Sequence, residues 1–228
     1  MNSTDIEQEE LKKSFLDLKS ARDVAAILGR NYSNLIYHLY KTPDSSKYKT
    51  FRIPKKSGGE REISAPIGSI KTLQKKLNFI LQLIYEPKPI VHGFVSGKSI
   101  VSNASNHTNQ KYVLKVDLID FFPTIHLGRV RGIFMAYPFK FNLEVATILA
   151  QICCHDGKLP QGAPTSPIIS NLICAKLDSE IMLLAKKCKC YYTRYADDLT
   201  FSTSMKVFPE AILKTKKNGN VLEIEIGD

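Results

Sequence analysis

The chain has 228 residues, 43% of them hydrophobic and 9% aromatic, which suits a globular protein with a substantial core. Thirty-two Lys and Arg against 22 Asp and Glu leave a net charge of +10, which favours a polyanionic partner. No apolar run approaches the roughly 18 residues of a membrane span, and the acidic, polar start is not a signal peptide, so a soluble cytoplasmic protein without a membrane partner is expected. The five cysteines, an odd number, read as thiols in a reducing compartment, and neither Cys153-Cys154-His155 nor Cys188-x-Cys190 has the paired spacing of a zinc site.

Residues 7 to 40 read as helical. Leu11, Phe15 and Leu18 make one apolar stripe, Ser20 with Asp23 caps a second helix that Gly29 ends, and a third runs from about Ser33 to Tyr40. Two short helices around Gly29 also fit a helix-turn-helix, but an RNA-contacting extension is preferred because the motif-bearing segment starts directly after them. Residues 46 to 66 read as an antiparallel hairpin, followed by a helix from Ser69 to Tyr85 carrying Leu73, Leu77, Ile80 and Ile84. Lys41, Lys47, Lys49, Arg52, Lys55, Lys56 and Arg61 cluster around this hairpin, interleaved with Tyr40, Tyr48 and Phe51, which can stack on bases. A charge run is more often a solvated face, so the cluster alone carries little weight.

In Tyr112-Val113-Leu114-Lys115-Val116-Asp117-Leu118, period-two geometry puts Tyr112, Leu114, Val116 and Leu118 on one face and Val113, Lys115 and Asp117 on the other. Helices are expected near 127 to 137 and 142 to 154. Pro160-Gln161-Gly162-Ala163-Pro164 then makes a stiff loop in which Gly162 permits close approach of backbone to a ligand, and Ser166 and Pro167 read as N-cap and first residue of a long helix with Ile169, Ile173, Leu177, Ile181 and Leu184 as its apolar positions. Tyr191–Tyr195 and Leu199–Ser202 read as strands joined by a tight turn, which sets Asp197 and Asp198 near a hairpin tip. Phe208 to Lys217 is expected to start one more helix. The order as a whole predicts an α+β fold, an antiparallel sheet packed on helices.

An Asp-Asp pair at a turn is weak evidence by itself, because turns select Asp for local hydrogen bonding. With Asp117 it becomes a ligand set for two divalent cations, which at about 3.5–4 Å apart stabilise the attacking and leaving oxygens of a phosphoryl transfer. Magnesium keeps waters and substrate phosphates in its shell, so a few carboxylates suffice. Manganese is the alternative, and abundance and ligand hardness favour magnesium.

Five blocks in order resemble the reverse transcriptases: Gly58-Gly59-Glu60-Arg61-Glu62-Ile63 with Pro66, His92-Gly93-Phe94 through Lys98-Ser99-Ile100, Val116-Asp117-Leu118-Ile119-Asp120-Phe121-Phe122-Pro123, Leu159-Pro160-Gln161-Gly162-Ala163-Pro164-Thr165-Ser166-Pro167, and Tyr195-Ala196-Asp197-Asp198. Asn103-Ala104-Ser105-Asn106-His107 is similar to an element of the retron type. The resemblance implies right-hand fingers and palm: an N-terminal helical extension over 1–45, fingers over 46–110, and a palm over 111–228 with finger-associated helices at about 126–158. It implies that Asp117 and Asp197 hold two metal ions with Asp198 beside the primer terminus, that Phe122 is a steric gate against a ribose 2′-hydroxyl while Phe121 is core, and that Gln161 and Gly162 border the nucleotide. Arg61 would reach the triphosphate, and Lys55, Lys56, Lys98, Asn103 and His107 are candidate nucleic-acid contacts.

At the level of function, the resemblance implies an RNA-directed DNA polymerase. It would copy a structured non-coding RNA, primed from a 2′-hydroxyl in that RNA, into RNA-linked single-stranded DNA from deoxynucleoside triphosphates. Its setting would be bacterial anti-phage defence, with an effector protein nearby. Another group II-like or defence-associated reverse transcriptase, or a non-catalytic RNA-binding module, is the alternative. After Ser204 the family pattern of primer grip and thumb is not recognisable, so either a truncated chain or a second polypeptide that supplies the rest is expected.

Overall fold

A computed structural model describes residues 3–54, 58–218 and 221–226. In chain order it begins with α1 (Ser3–Leu16), α2 (Ala21–Ile27), α3 (Tyr32–Ile36), α4 (Asp44–Lys47), β1 (Tyr48–Pro54), β2 (Glu60–Pro66) and α5 (Gly68–Ile84). It continues with α6 (Ile100–Ser105), β3 (Tyr112–Asp117), α7 (Phe121–Thr124), α8 (Leu127–Met135), α9 (Leu143–Cys153) and α10 (Ser166–Lys187). Four strands follow: β4 (Tyr191–Tyr195), β5 (Asp198–Thr203), β6 (Leu213–Asn218) and β7 (Val221–Ile226). The fold is α+β with only antiparallel strand pairs inside its sheets. Two compact units divide it, one made of the chain up to Glu86 with Asp120–Ile173, the other of Pro87–Ile119 and the chain from Cys174 onward.

In the first unit, α2 opens on the capping box read from the sequence: Ser20 Oγ accepts from the Asp23 N–H at 3.3 Å, and the Asp23 carboxylate accepts from the Ser20 N–H at 2.8 Å. Gly29 ends that helix at φ +69. The third helix does not run regularly to Tyr40. It leaves α geometry after Ile36 and widens into a π-helical turn over Tyr37–Lys41, closed by the Thr42 N–H on the Tyr37 carbonyl at 3.0 Å. Pro43 explains the stop, since a residue before proline is pushed out of the α region, and Thr42 is extended at ψ 129.

The N-terminal helices are built into this unit. α1 packs on α5 and α2 on α9, and Phe15 meets Phe139 and Phe141 edge-on at 6.2 and 5.5 Å. On α5 the expected stripe of Leu73, Leu77, Ile80 and Ile84 is buried, and with it Gln74, whose Nε2 donates to Tyr48 Oη and to the Ile152 carbonyl, each at 2.8 Å. β1 and β2 form the predicted hairpin, in register from Tyr48 opposite Pro66 to Pro54 opposite Glu60.

In the second unit the sheet order is β3-β5-β4. One face carries Leu114, Val116, Tyr192, Leu199 and Phe201, packed with Ile181, Leu184 and Ala185 of α10. The opposite face carries Lys115, Asp117, Asp198 and Thr200, in the alternation read from the sequence. Two expectations need correction. Ser166 is the first helical residue of α10, not its cap: the Thr165 carbonyl already accepts from the Ile169 N–H, and Ser166 Oγ donates to the Pro160 carbonyl at 2.6 Å. The segment expected to start a helix at Phe208 instead leads into β6, paired antiparallel with β7. Asn-Gly between a Lys/Thr run and a strictly alternating Val-Leu-Glu-Ile-Glu-Ile is a hairpin signal that outweighs the weak helical one.

Candidate active site

The acidic site grows out of strand register. β3 ends at Asp117 and β5 begins at Asp198, and the register sets these two residues directly opposite one another. Directly opposed residues of an antiparallel pair share a face, with Cβ atoms roughly 4.5–5.5 Å apart. Asp197 stands one residue earlier, in the two-residue turn Ala196-Asp197 between β4 and β5. Its carbonyl accepts from the Leu118 N–H at 3.1 Å, which ties the exit of β3 to the turn. Ala196 takes a left-handed conformation at φ 57, the backbone state that turns the chain this tightly.

Lys115, two residues before Asp117 on the same face, pairs with Asp198: Nζ lies 2.9 Å from Oδ2. Among the described residues no three His, Cys, Asp or Glu side chains are gathered into a ready-made metal cluster. Three carboxylates at one sheet end repel each other, and an ammonium on one of them lowers that repulsion. The donor set nevertheless fits magnesium. It is all oxygen, and it is open to the waters and phosphates that such an ion keeps.

The other residues singled out from the sequence have varied surroundings. Arg61 is exposed on β2. Phe122 is half-buried, and Phe121 beside it is buried, their rings 5.2 Å apart at 71°. The chain turns left-handed at Asp120, φ 49, and both lie in the short helix α7. Gln161 accepts the Ser64 N–H on its carbonyl at 2.8 Å. What approaches Gly162 is this hairpin: at φ +110, a Cβ there would stand 2.9 Å from Ile63 Cγ2. Lys55 and Lys56 lie outside the described residues.

Two of the candidate nucleic-acid contacts have partners within the chain. Lys98 directs its ammonium at the carbonyls of Pro89 (2.6 Å) and Val91 (2.7 Å), so it staples its own loop. His107 is buried and bridges strands, Nδ1 to Ser202 Oγ at 2.6 Å and Nε2 to Thr193 Oγ1 at 2.7 Å. Both of its ring nitrogens are thus occupied within the chain. Burial, then the neighbouring His92, holds its pKa below the ordinary imidazole range. Asn103 is half-buried on α6, and its Oδ1 has no hydrogen-bond partner. Tyr48 is also unavailable for base stacking, since it is buried against the His155 ring at 4.0 Å, whereas Phe51 and Tyr40 are exposed.

Sequence reading missed Lys115, Arg194, Asp178 and Gly93. Arg194 is fully buried and forks onto Asp178, with Nε to Oδ1 at 2.7 Å and Nη2 to Oδ2 at 2.8 Å. The signal for it was present: period two puts Arg194 on the apolar face with Tyr192, and a charge there must have a partner. Burial raises Cys154 to about 12 and Cys153 well above its usual value, which marks both as packing groups rather than nucleophiles. Among the described residues no helix is long and apolar enough to cross a membrane.

A strand-turn-strand unit that brings carboxylates to one end of an antiparallel sheet packed on a helix defines an α+β domain with an acidic edge. Comparison with known proteins makes this particular: residues 53–226 match the family model described as reverse transcriptase (RNA-dependent DNA polymerase). The chain belongs to the reverse transcriptase family. It is similar to the retron Mx65 reverse transcriptase of Myxococcus xanthus, 37% identical over 204 residues that cover 81% of this chain and 47% of that protein. It is also similar to the retron Ec86 reverse transcriptase of Escherichia coli, 39% identical over 166 residues, 70% of this chain and 50% of that protein. The retron resemblance read from the sequence therefore holds, and the chain spans about half the length of these relatives.

Proposed function

We propose that this chain carries the metal-binding and nucleotide-binding residues of a retron-type RNA-directed DNA polymerase, which extends a 3′-hydroxyl by two-metal nucleotidyl transfer. The observation that carries the reading is the register that sets Asp117 opposite Asp198 with Asp197 in the adjoining turn. Asp117 and Asp197 would hold two magnesium ions, with Asp198 beside the primer terminus. When bound, such ions supply charge stabilisation to the attacking and leaving oxygens. Lys115 then acts as a counter-charge to Asp198 that a cation competes with.

Arg61 offers a planar fork suited to a triphosphate. Phe122 serves as the gate against a 2′-hydroxyl, and Gln161 with Gly162 borders the incoming nucleotide. The β1–β2 hairpin with α5 corresponds to fingers (46–110), the β3-β5-β4 sheet with its helices to palm (111–228), and residues 1–45 to an RNA-contacting extension. The whole protein would copy a structured non-coding RNA into RNA-linked DNA in the bacterial cytoplasm, in anti-phage defence beside an effector protein.

The test is primer extension on an RNA template with magnesium and deoxynucleotides, using this chain and a form of the relatives' length. The reading predicts extension that falls to background in Asp197→Asn, Asp198→Asn and a cDNA with fixed ends on sequencing. Heterogeneous ends would point to a group II-like or other defence-associated enzyme. RNA binding with no extension in either form would reduce the chain to a binding module.

A further inference from the structure

Among the described residues of the second unit, Asp178 and Arg194 form a fully buried charged pair, with exposures of 1% and 0%. Taking two charges out of water is costly, and apolar side chains of similar size hold a helix to a strand as well or better. What apolar side chains cannot do is donate hydrogen bonds. Arg194 spends two donors on Asp178, and its Nη1 donates to the carbonyl of Ala196 at 2.9 Å. Tyr192 Oη completes the cluster by donating to Asp178 Oδ1 at 3.1 Å.

Ala196 immediately precedes Asp197, so Arg194 fixes the peptide plane on the N-terminal side of that aspartate. The plane on its C-terminal side is fixed independently, because the Asp197 carbonyl accepts the Leu118 N–H at 3.1 Å. With both flanking peptides held, φ and ψ of Asp197 are restrained, and with them its Cα–Cβ direction. A third contact closes on the same residue. A Cβ at Gly93 would lie 2.3 Å from the Ala196 nitrogen, so only a glycine lets this segment seat against the turn. The segment is held in place by the His92 N–H on the Arg194 carbonyl at 2.8 Å and the Arg194 N–H on the Ile90 carbonyl at 2.9 Å.

We infer that Asp178, Arg194 and Gly93 are positioning residues that aim the Asp197 carboxylate by clamping the left-handed Ala196 turn from the α10 side and from the 90–93 segment. The inference rests on the polymerase reading for its purpose, though not for its geometry. A guanidinium is not deprotonated in the working range, so the donor to the Ala196 carbonyl is kept throughout it.

The decisive variant is the triple Tyr192→Phe, Asp178→Leu, Arg194→Met, which replaces the whole buried cluster by apolar groups and so avoids stranding a charge. Gly93→Ala is the companion, displacing the turn while leaving the cluster intact. The first readout is amide exchange: the Leu118 amide should exchange about tenfold faster or more in each variant, while Phe201 in mid-β5 stays as protected as in the parent. The second, in a form of the relatives' length, is the magnesium dependence of extension. The concentration for half-maximal rate should rise about tenfold and kcat fall by about 10–100-fold, with KM for template-primer unchanged.

Unchanged Leu118 exchange in a folded variant, or loss of protection spread evenly over Leu118 and Phe201, would overturn the brace in favour of plain helix-strand packing. If instead Asp197→Asn, Asp198→Asn kept full extension, the polymerase reading would fall and the exchange result would still decide the brace.

Discussion

Gly162 stands at φ +110, a conformation that side chains rarely adopt, and Ile63 Cγ2 occupies the place its Cβ would take. Both costs fall on one methyl group, so Gly162→Ala should lower stability by about 1–3 kcal/mol, read as a shift of the urea midpoint at constant slope. His107 gives a pH-dependent counterpart. Burial and His92 keep its folded-state pKa below the ordinary value, so protons bind the unfolded chain first as pH falls. The stability it contributes is therefore complete above about pH 6.5 and declines below it toward the depressed folded value. Denaturant titrations between pH 7 and 5 should show that decline, and His107→Gln should show a shallower one. His92 and His155 leave a residual slope, since burial depresses both in the same sense. An unaltered slope in His107→Gln would place the sensitivity elsewhere.

Between elements, a fully buried ion pair ties α10 to β4 through Asp178 and Arg194. Breaking such a pair from one side strands a charge in the interior, so Asp178→Ala should cost about 3–5 kcal/mol, far more than replacing the cluster as a whole. Thermal unfolding of the single and triple variants, compared side by side, measures that asymmetry. This tie also shows where sequence reading stops. The stripe of α5 and the alternation of β3 were legible because each is a local period, and the approach of Asp117 to Asp198 follows from register once both strands are recognised. Asp178 and Arg194 lie on different elements, and no local rule pairs them. Lys98 and His107 looked available for RNA for the same reason: the carbonyls and hydroxyls that absorb them come from folded neighbours. The helix expected after Phe208 was a different failure, a weak propensity set against a stronger hairpin signal.

Across the whole molecule, the +10 charge is the term that acts before any specific contact, because it attracts a polyanion at long range. Within the basic cluster the structure sorts the cations. Lys47 is paired with Asp44 at 2.8 Å and Arg52 with Glu60 at 3.2 Å, so both are partly neutralised. Lys41, Lys49 and Arg61 are exposed and make none of the described ion pairs. If these three track a backbone, each phosphate contact releases counterions, and log affinity falls with log salt by about 0.7 per contact on single-stranded RNA. Lys49→Ala and Arg61→Ala should each weaken binding and reduce that slope by about 0.7, whereas Lys47→Ala, already paired, should change it little. Fluorescence anisotropy from 50 to 300 mM salt reads the slopes directly. Equal slopes for all three variants would mean that RNA engages another face, and that the pairing of Lys47 and Arg52 marks the hairpin as a solvated surface.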